Sequence, residues 1–285
     1  MKLENGQANL LSNYGDVREV NAIRPYGAHA GKSTIEGAAR DQFGNANGNM
    51  FDLGVDGAFK GLTVVVLQMF VGEGLDFVLP KAALEEKGFT VILWQHQPPS
   101  PPELRRALDQ ACQLWVISTS AQRLSDEHIT IIDEFYRRGK GLYLWGDNHP
   151  LYADANAVLA KIFPNEGVRL EGNDPATKTL TKKTSPNGIG FDSEHFIFTG
   201  IENLYEGITI ARVLSPERTH ITTIAMSSHG HPVTCVLDDG THRLAIDGGF
   251  TRLIPSFWNV TAGTSRFVKN ISAWLCGFET DWIDD

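Results

Sequence analysis

The segment from residue 61 to residue 163 constrains the fold more than any other part of the chain, because short apolar runs alternate there with amphipathic stretches. Leu62-Thr-Val-Val-Val-Leu67 is a continuous β-branched run, the pattern of a strand covered on both faces. Gly72-Glu73-Gly74 follows, and a helix is expected from about Leu75 to Lys87, stopped by Gly88. Residues 89–94, 113–118 and 141–145 repeat the strand pattern. Between them the sequence predicts a short helix over 103–111 after a proline-rich loop at 98–102, and a second helix capped by Ser125. Asp126 and Glu127 lie in its first turn and Arg137-Arg138-Gly139 at its end, where the helix dipole and the left-handed cap favour them. Residues 151–163 complete the series as a helix. Strands that alternate with helices over short connections pair in parallel through right-handed crossovers. The expected fold is therefore α/β: a flavodoxin-like three-layer sandwich, with a mostly parallel sheet and helices on both faces.

The flanks read differently. Residues 1–58 are rich in Gly, Asn and Ala and lack periodicity, so they are expected to form a loop-rich N-terminal extension. One short helix is expected within it near residues 33–41, where Ser33 caps and Glu36 stands three residues on. Residues 59–285 then form a single α/β domain with a polar insertion near 165–208. Strand-like runs follow at 209–214, 219–226, 232–237 and 243–247, with Asp238-Asp239-Gly240 as a hairpin turn. A helix over 263–275 places Phe267, Ile271, Trp274 and Leu275 at core spacing.

Charge and composition exclude several classes. With 25 basic and 34 acidic residues the net charge is −9, which offers no basic footprint to nucleic acid or an anionic membrane. The longest apolar run, Leu62 to Leu67, falls far short of the ~20 residues of a membrane-spanning helix. Cys112, Cys235 and Cys276 are widely spaced and form no Cys-x-x-Cys pair, and the chain opens Met-Lys-Leu-Glu-Asn without an apolar leader. A reducing, cytoplasmic location is expected.

Two stretches resemble the class I glutamine amidotransferase-like superfamily. In the first, the strand at 141–145 runs into Gly146-Asp147-Asn148-His149-Pro150 and a helix, where the superfamily carries the nucleophile elbow Gly-x-Cys-x-Gly. The second runs from Asp239 through Asp247-Gly248-Gly249 to the helix ending Asn270-Ile-Ser-Ala-Trp-Leu-Cys-Gly277. It is similar to the closing segment of non-amidotransferase branches, such as ThuA-like proteins and a domain of an intraflagellar-transport protein. The resemblance implies the fold and the place of the site. No cysteine lies near the elbow and the closing segment has no His-x-Glu pair, so cysteine–histidine acyl transfer is not expected.

In open parallel sheets, ligands bind outside the carboxyl ends of the strands. Four regions should meet there. Gly72-Glu73-Gly74 permits close backbone approach of a ligand at a helix start. Ser118 and Thr119 offer hydroxyls. Asp147, Asn148 and His149 provide a carboxylate, an amide and an imidazole at the elbow. His229 and His231, with Asp247-Gly248, form the fourth. Each also has a plain structural use, as a tight turn, a cap or a solvated loop. The favoured function is a non-catalytic module that binds a small polar ligand or a protein partner, with no cofactor and no resident metal. The alternative is a hydrolase, metal-assisted or not, using Asp147 and His149. Trp258, Trp274 and Trp282 leave a homo-oligomer open.

Overall fold

In the computed structural model, which describes residues 17–24, 28–36, 44–176, 178–215, 217–258 and 263–277, the apolar runs become the centre of one sheet. Strands β1 (Val17–Arg24) and β2 (Ala28–Glu36) form an antiparallel ribbon of their own, with Val17 opposite Glu36. Ser33 to Glu36 are thus strand, not the helix start expected there; residues 37–41 lie outside the described residues. The β-branched pair Thr34-Ile35 favours the extended backbone, and the ribbon pairing supplies the ladder that a helix would otherwise provide.

The main series then runs β3 (Thr63–Gln68), α1 (Val78–Glu86), β4 (Thr90–Gln95), α2 (Pro101–Asp109), β5 (Gln113–Ile117), α3 (Asp126–Arg137), β6 (Gly141–Trp145) and α4 (Ala153–Ile162). Local chemistry sets the boundaries. Ser100 and Glu103 close a capping box on α2, and Pro101 and Pro102 sit in its first turn, where the missing N–H groups would have no helical partner anyway. On α3 the Ser125 hydroxyl accepts the His128 N–H, while His128 Nδ1 accepts the Ser125 N–H at 3.2 Å, so an imidazole fills the role usually given to Glu. Helix α1 begins at Val78 rather than near Leu75. Glu73 and Phe77 both adopt left-handed backbone (φ 55° and 60°), which breaks the chain twice before a helix can start.

Six further strands follow: β7 (Arg169–Pro175), β8 (Thr179–Leu180), β9 (Gly190–Phe191), β10 (Leu204–Tyr205), β11 (Thr209–Leu214) and β12 (Thr222–Met226). Strands β13 (Pro232–Asp238) and β14 (Arg243–Asp247), short helix α5 (Pro255–Trp258) and α6 (Thr264–Leu275) close the chain. The principal sheet has eight strands in the order β4-β3-β5-β6-β14-β13-β12-β9. The first five run parallel and the last three are antiparallel additions at one edge. The parallel part has the second–first–third–fourth–fifth order of flavodoxin-like folds. Strands β5, β6 and β14 are buried along their whole length, which explains the apolar residues at their centres, whereas edge strand β4 is only half-covered.

Helices α1 and α6 cover one face, around Trp115, Tyr143, Trp145 and Phe267. Helices α2, α3 and α4 cover the other, around Val65, Val116, Leu144 and Ile132. Strands β7 and β11 pair with each other outside the sheet and pack Leu170, Ala211 and Val213 against this second face. Trp258 and Trp274 are buried in the core, and Trp282 lies outside the described residues. No helix among the described residues is long and apolar enough to cross a membrane.

Candidate functional site

The turn after β6 is built from the inside. Gly146 donates its N–H to Asp247 O (2.8 Å) and accepts from Phe250 N–H (3.1 Å), so the turn is bolted to the segment that leaves β14. Asp147 is fully buried. Its Oδ2 accepts both the N–H and the hydroxyl of Thr251, each at 2.7 Å, and its Oδ1 accepts the Asn148 N–H at 2.8 Å. Burial nonetheless outweighs these three bonds and lifts the carboxyl from its usual 3.8 to about 7. Both oxygens are thus committed to the chain itself. Asn148 and His149 point outward: the Asn148 amide donates to His149 O, and His149 Nδ1 lies 2.9 Å from the Tyr152 hydroxyl.

Asp247, at the end of β14, is equally closed. Thr234 donates its hydroxyl to Oδ2 (2.7 Å) and Gly249 its N–H to Oδ1 (2.9 Å), while Arg252 Nη2 stands 3.3 Å from Oδ1. Burial pushes its carboxyl up, and Arg252 opposes that shift as the nearest positive charge. Arg252 has no exposed surface; it donates to Gly249 O and Glu206 O and lies over the Trp145 and Phe267 rings, at 5.9 and 5.4 Å from their centroids. Gly248 is demanded by packing: a Cβ there would stand 1.9 Å from Ala211 O.

The other expected residues divide. Ser118 accepts the Ala155 N–H (2.8 Å) and Thr119 O accepts the Ala153 N–H (3.1 Å), so both serve the start of α4. Asp154 returns the favour by accepting the N–H groups of Arg123 and Leu124, which shapes the loop after β5. Glu73 and Gly74 are exposed on a turn closed by Leu75 N–H to Gly72 O (3.0 Å). Because α1 starts four residues beyond Gly74, no helix N-terminus faces this turn, contrary to expectation. His229 is exposed, and its N–H donates to Ser227 Oγ (3.3 Å). His231 instead meets Asp174 of β7, Nδ1 to Oδ2 at 2.6 Å. Among the described residues no group of three or more His, Cys, Asp or Glu side chains is placed to hold a metal ion.

At the carboxyl ends of the strands, backbone bonds tie the turn after β6 to the ends of β5 and β14, and side chains link the neighbouring loops. Phe70 packs on Phe250 (4.9 Å between centroids), and His149 N–H donates to Gly172 O of β7 (2.9 Å). Glu206, fully buried, accepts the N–H and hydroxyl of Ser228 and the N–H of Lys178. Sequence reasoning passed over Thr251, Arg252, Glu206 and the Asp174 partner of His231. Only Arg252 carries a local signal, a charge set inside the apolar run Phe250 to Ile254.

Fold and site define a doubly wound α/β protein of flavodoxin-like strand order, with its loops joined at the carboxyl ends of the parallel strands. No protein-family model and no curated protein matches the chain. Solved structures do resemble it. The cytoplasmic protein STM1381 of Salmonella typhimurium is 10% identical over 75% of this chain and 99% of its own, with a TM-score of 0.49. A ThuA-like protein of Parabacteroides merdae is 11% identical, covering 79% of this chain and 92% of its own, with a TM-score of 0.42. The glutaminase domain of Trypanosoma brucei CTPS is 8% identical, covering 76% and 94%, with a TM-score of 0.40.

Proposed function

We propose that the chain is a non-catalytic module that binds a small polar ligand or a protein segment at the carboxyl ends of its parallel strands. The observation that carries this reading is the state of Asp147. The side chain with the most perturbed chemistry at the elbow is sealed, with both oxygens occupied by Thr251 and Asn148. A group held that way braces a turn and does not exchange protons with a substrate. The three cysteines stand elsewhere, Cys112 before β5, Cys235 within β13 and Cys276 after α6, which leaves the elbow without a thiol nucleophile. What the elbow presents outward is Asn148 and His149, beside Tyr152.

The test is a paired measurement on the purified chain and on Asn148→Ala and His149→Ala. Ligand-dependent melting against small anions, amides and peptides should shift in the parent and weaken in one of the variants, while amide and ester hydrolysis stays at background in all three. Hydrolysis that exceeds background in the parent and vanishes in His149→Ala overturns the proposal.

A second reading rests on one observation, the Asp174–His231 pair at 2.6 Å. A carboxylate on one imidazole nitrogen fixes the orientation and tautomer of the ring. A hydrolase reading would place the base at His231, not at Asp147. Turnover abolished by His231→Ala and retained by His149→Ala is its signature.

A further inference from the structure

At the other end of the sheet, where the parallel strands begin, two cysteines stand face to face. Cys112 immediately precedes β5, and Cys276 caps the end of α6. Their sulfurs are 3.3 Å apart, with Cys276 Sγ donating to Cys112 Sγ. Gln113 fixes the arrangement: Nε2 reaches Cys276 Sγ at 3.1 Å and Ser272 O at 3.0 Å, while Oε1 accepts the Trp115 indole N–H at 2.8 Å. Both cysteines are partly exposed and border a cavity of about 220 Å³ that Lys140 and Arg243 also line. A disulfide needs its sulfurs at about 2.05 Å, so closure asks for an approach of only about 1.2 Å.

We propose that Cys112 and Cys276 form an oxidisable dithiol site that reduces hydrogen peroxide and closes to an intramolecular disulfide. The hydrogen bond from Cys276 holds the Cys112 thiol below its ordinary value, and Lys140 adds to this, whereas burial pushes the Cys276 thiol up. Cys112 is therefore the attacking sulfur. Its lone pair forms an S–O bond as the peroxide O–O bond breaks; the departing hydroxide takes the proton lost by Cys112 and leaves as water. Cys276 then attacks the resulting sulfenic sulfur. The S–S bond forms, the S–O bond breaks, and the second hydroxide takes the Cys276 proton. Two thiols lose two electrons and the peroxide becomes two waters. Cys235 supplies an internal control, since it has no exposed surface and burial pushes its thiol up to about 12.

The experiment uses the full chain and hydrogen peroxide. After treatment, thiols are counted in denaturant and peptides are mapped without reduction. The expected result is loss of two of the three thiols, a single Cys112–Cys276 cross-linked peptide lighter by two hydrogens, and full recovery with dithiothreitol. In Cys276→Ser, dimedone should trap sulfenic acid on Cys112; in Cys112→Ser, it should label nothing. Three intact thiols under excess peroxide, a link to Cys235, a link between two chains, or dimedone label on Cys276 in Cys112→Ser each overturns the proposal. The peptide map of the parent chain needs no variant, so it decides the matter even where a serine chain does not fold.

Discussion

Asp147 is a carboxylate that the chain uses as an internal strut, and its ionisation carries a sign. Between about 3.8 and about 7 the folded chain keeps a proton that the unfolded chain has released. The folded state binds more protons over that window, so the protonation-linked part of Asp147's contribution is complete below the unfolded value and is lost as pH rises towards 7. Urea midpoints at several pH values should fall across this range more steeply in the parent than in Asp147→Ala; coincident slopes would contradict the assignment. The same substitution leaves the Thr251 N–H, the Thr251 hydroxyl and the Asn148 N–H without their acceptor. It should cost roughly 2–4 kcal/mol near neutral pH, read from the same midpoints. Gly248→Ala should be harsher, because the clash is with the backbone of β11 and no rotamer relieves it. A loss of about 3 kcal/mol or more is expected, with failure to fold as its extreme, both visible in far-UV circular dichroism and melting.

At the scale of elements, α6 is the clamp. Its Asn270 is buried; its Oδ1 accepts the Leu53 N–H (2.7 Å), and its Nδ2 donates to Ile197 O and Thr199 O (2.9 and 2.8 Å). Asn270→Ala strands a buried N–H and two carbonyls and should cost about 3 kcal/mol, measured by denaturant unfolding. Ser125→Ala, which only loses the cap of α3, should cost about 1 kcal/mol. The contrast separates what sequence made legible from what it did not. Strands β6, β11 and β14 fall on the expected residues, and β3 to β5 within a residue, because strands that bury one or both faces advertise themselves as apolar, β-branched runs. Helix α3 was legible from Ser125 and Gly139, since capping is local. The ribbon at Ser33 to Glu36 was not, because its pairing rather than its composition decides it. The same limit applied to the site. Topology gives the expected location, but the fate of Asp147 depends on Thr251, 104 residues away, and that of His231 on Asp174, 57 residues away. No spacing rule reaches that far.

For the whole molecule, a buried ion cluster joins the segment before the sheet to the two helices on one face. Asp52 lies 2.8 Å from Lys87 and 2.6 Å from Arg266, with Lys87 and Asp52 essentially without exposed surface. Asp52→Ala would leave Lys87 with Asp56 as its one carboxylate, beside the Gly54 carbonyl, and place an under-compensated ammonium in the interior. A loss of roughly 3–5 kcal/mol is expected, while the exposed pair Arg105–Glu134 should cost less than about 1 kcal/mol when broken. Double-mutant cycles on the two pairs check the difference.

Strand order has a consequence for biosynthesis. The strand between β6 and β13 is β14, supplied by residues 243–247, so the growing polypeptide cannot complete its hydrogen-bonded middle until this segment, about 100 residues after β6, has left the ribosome. Until then the backbone N–H and C=O groups on that side of β6 have no strand partner, an edge that a chaperone could cover.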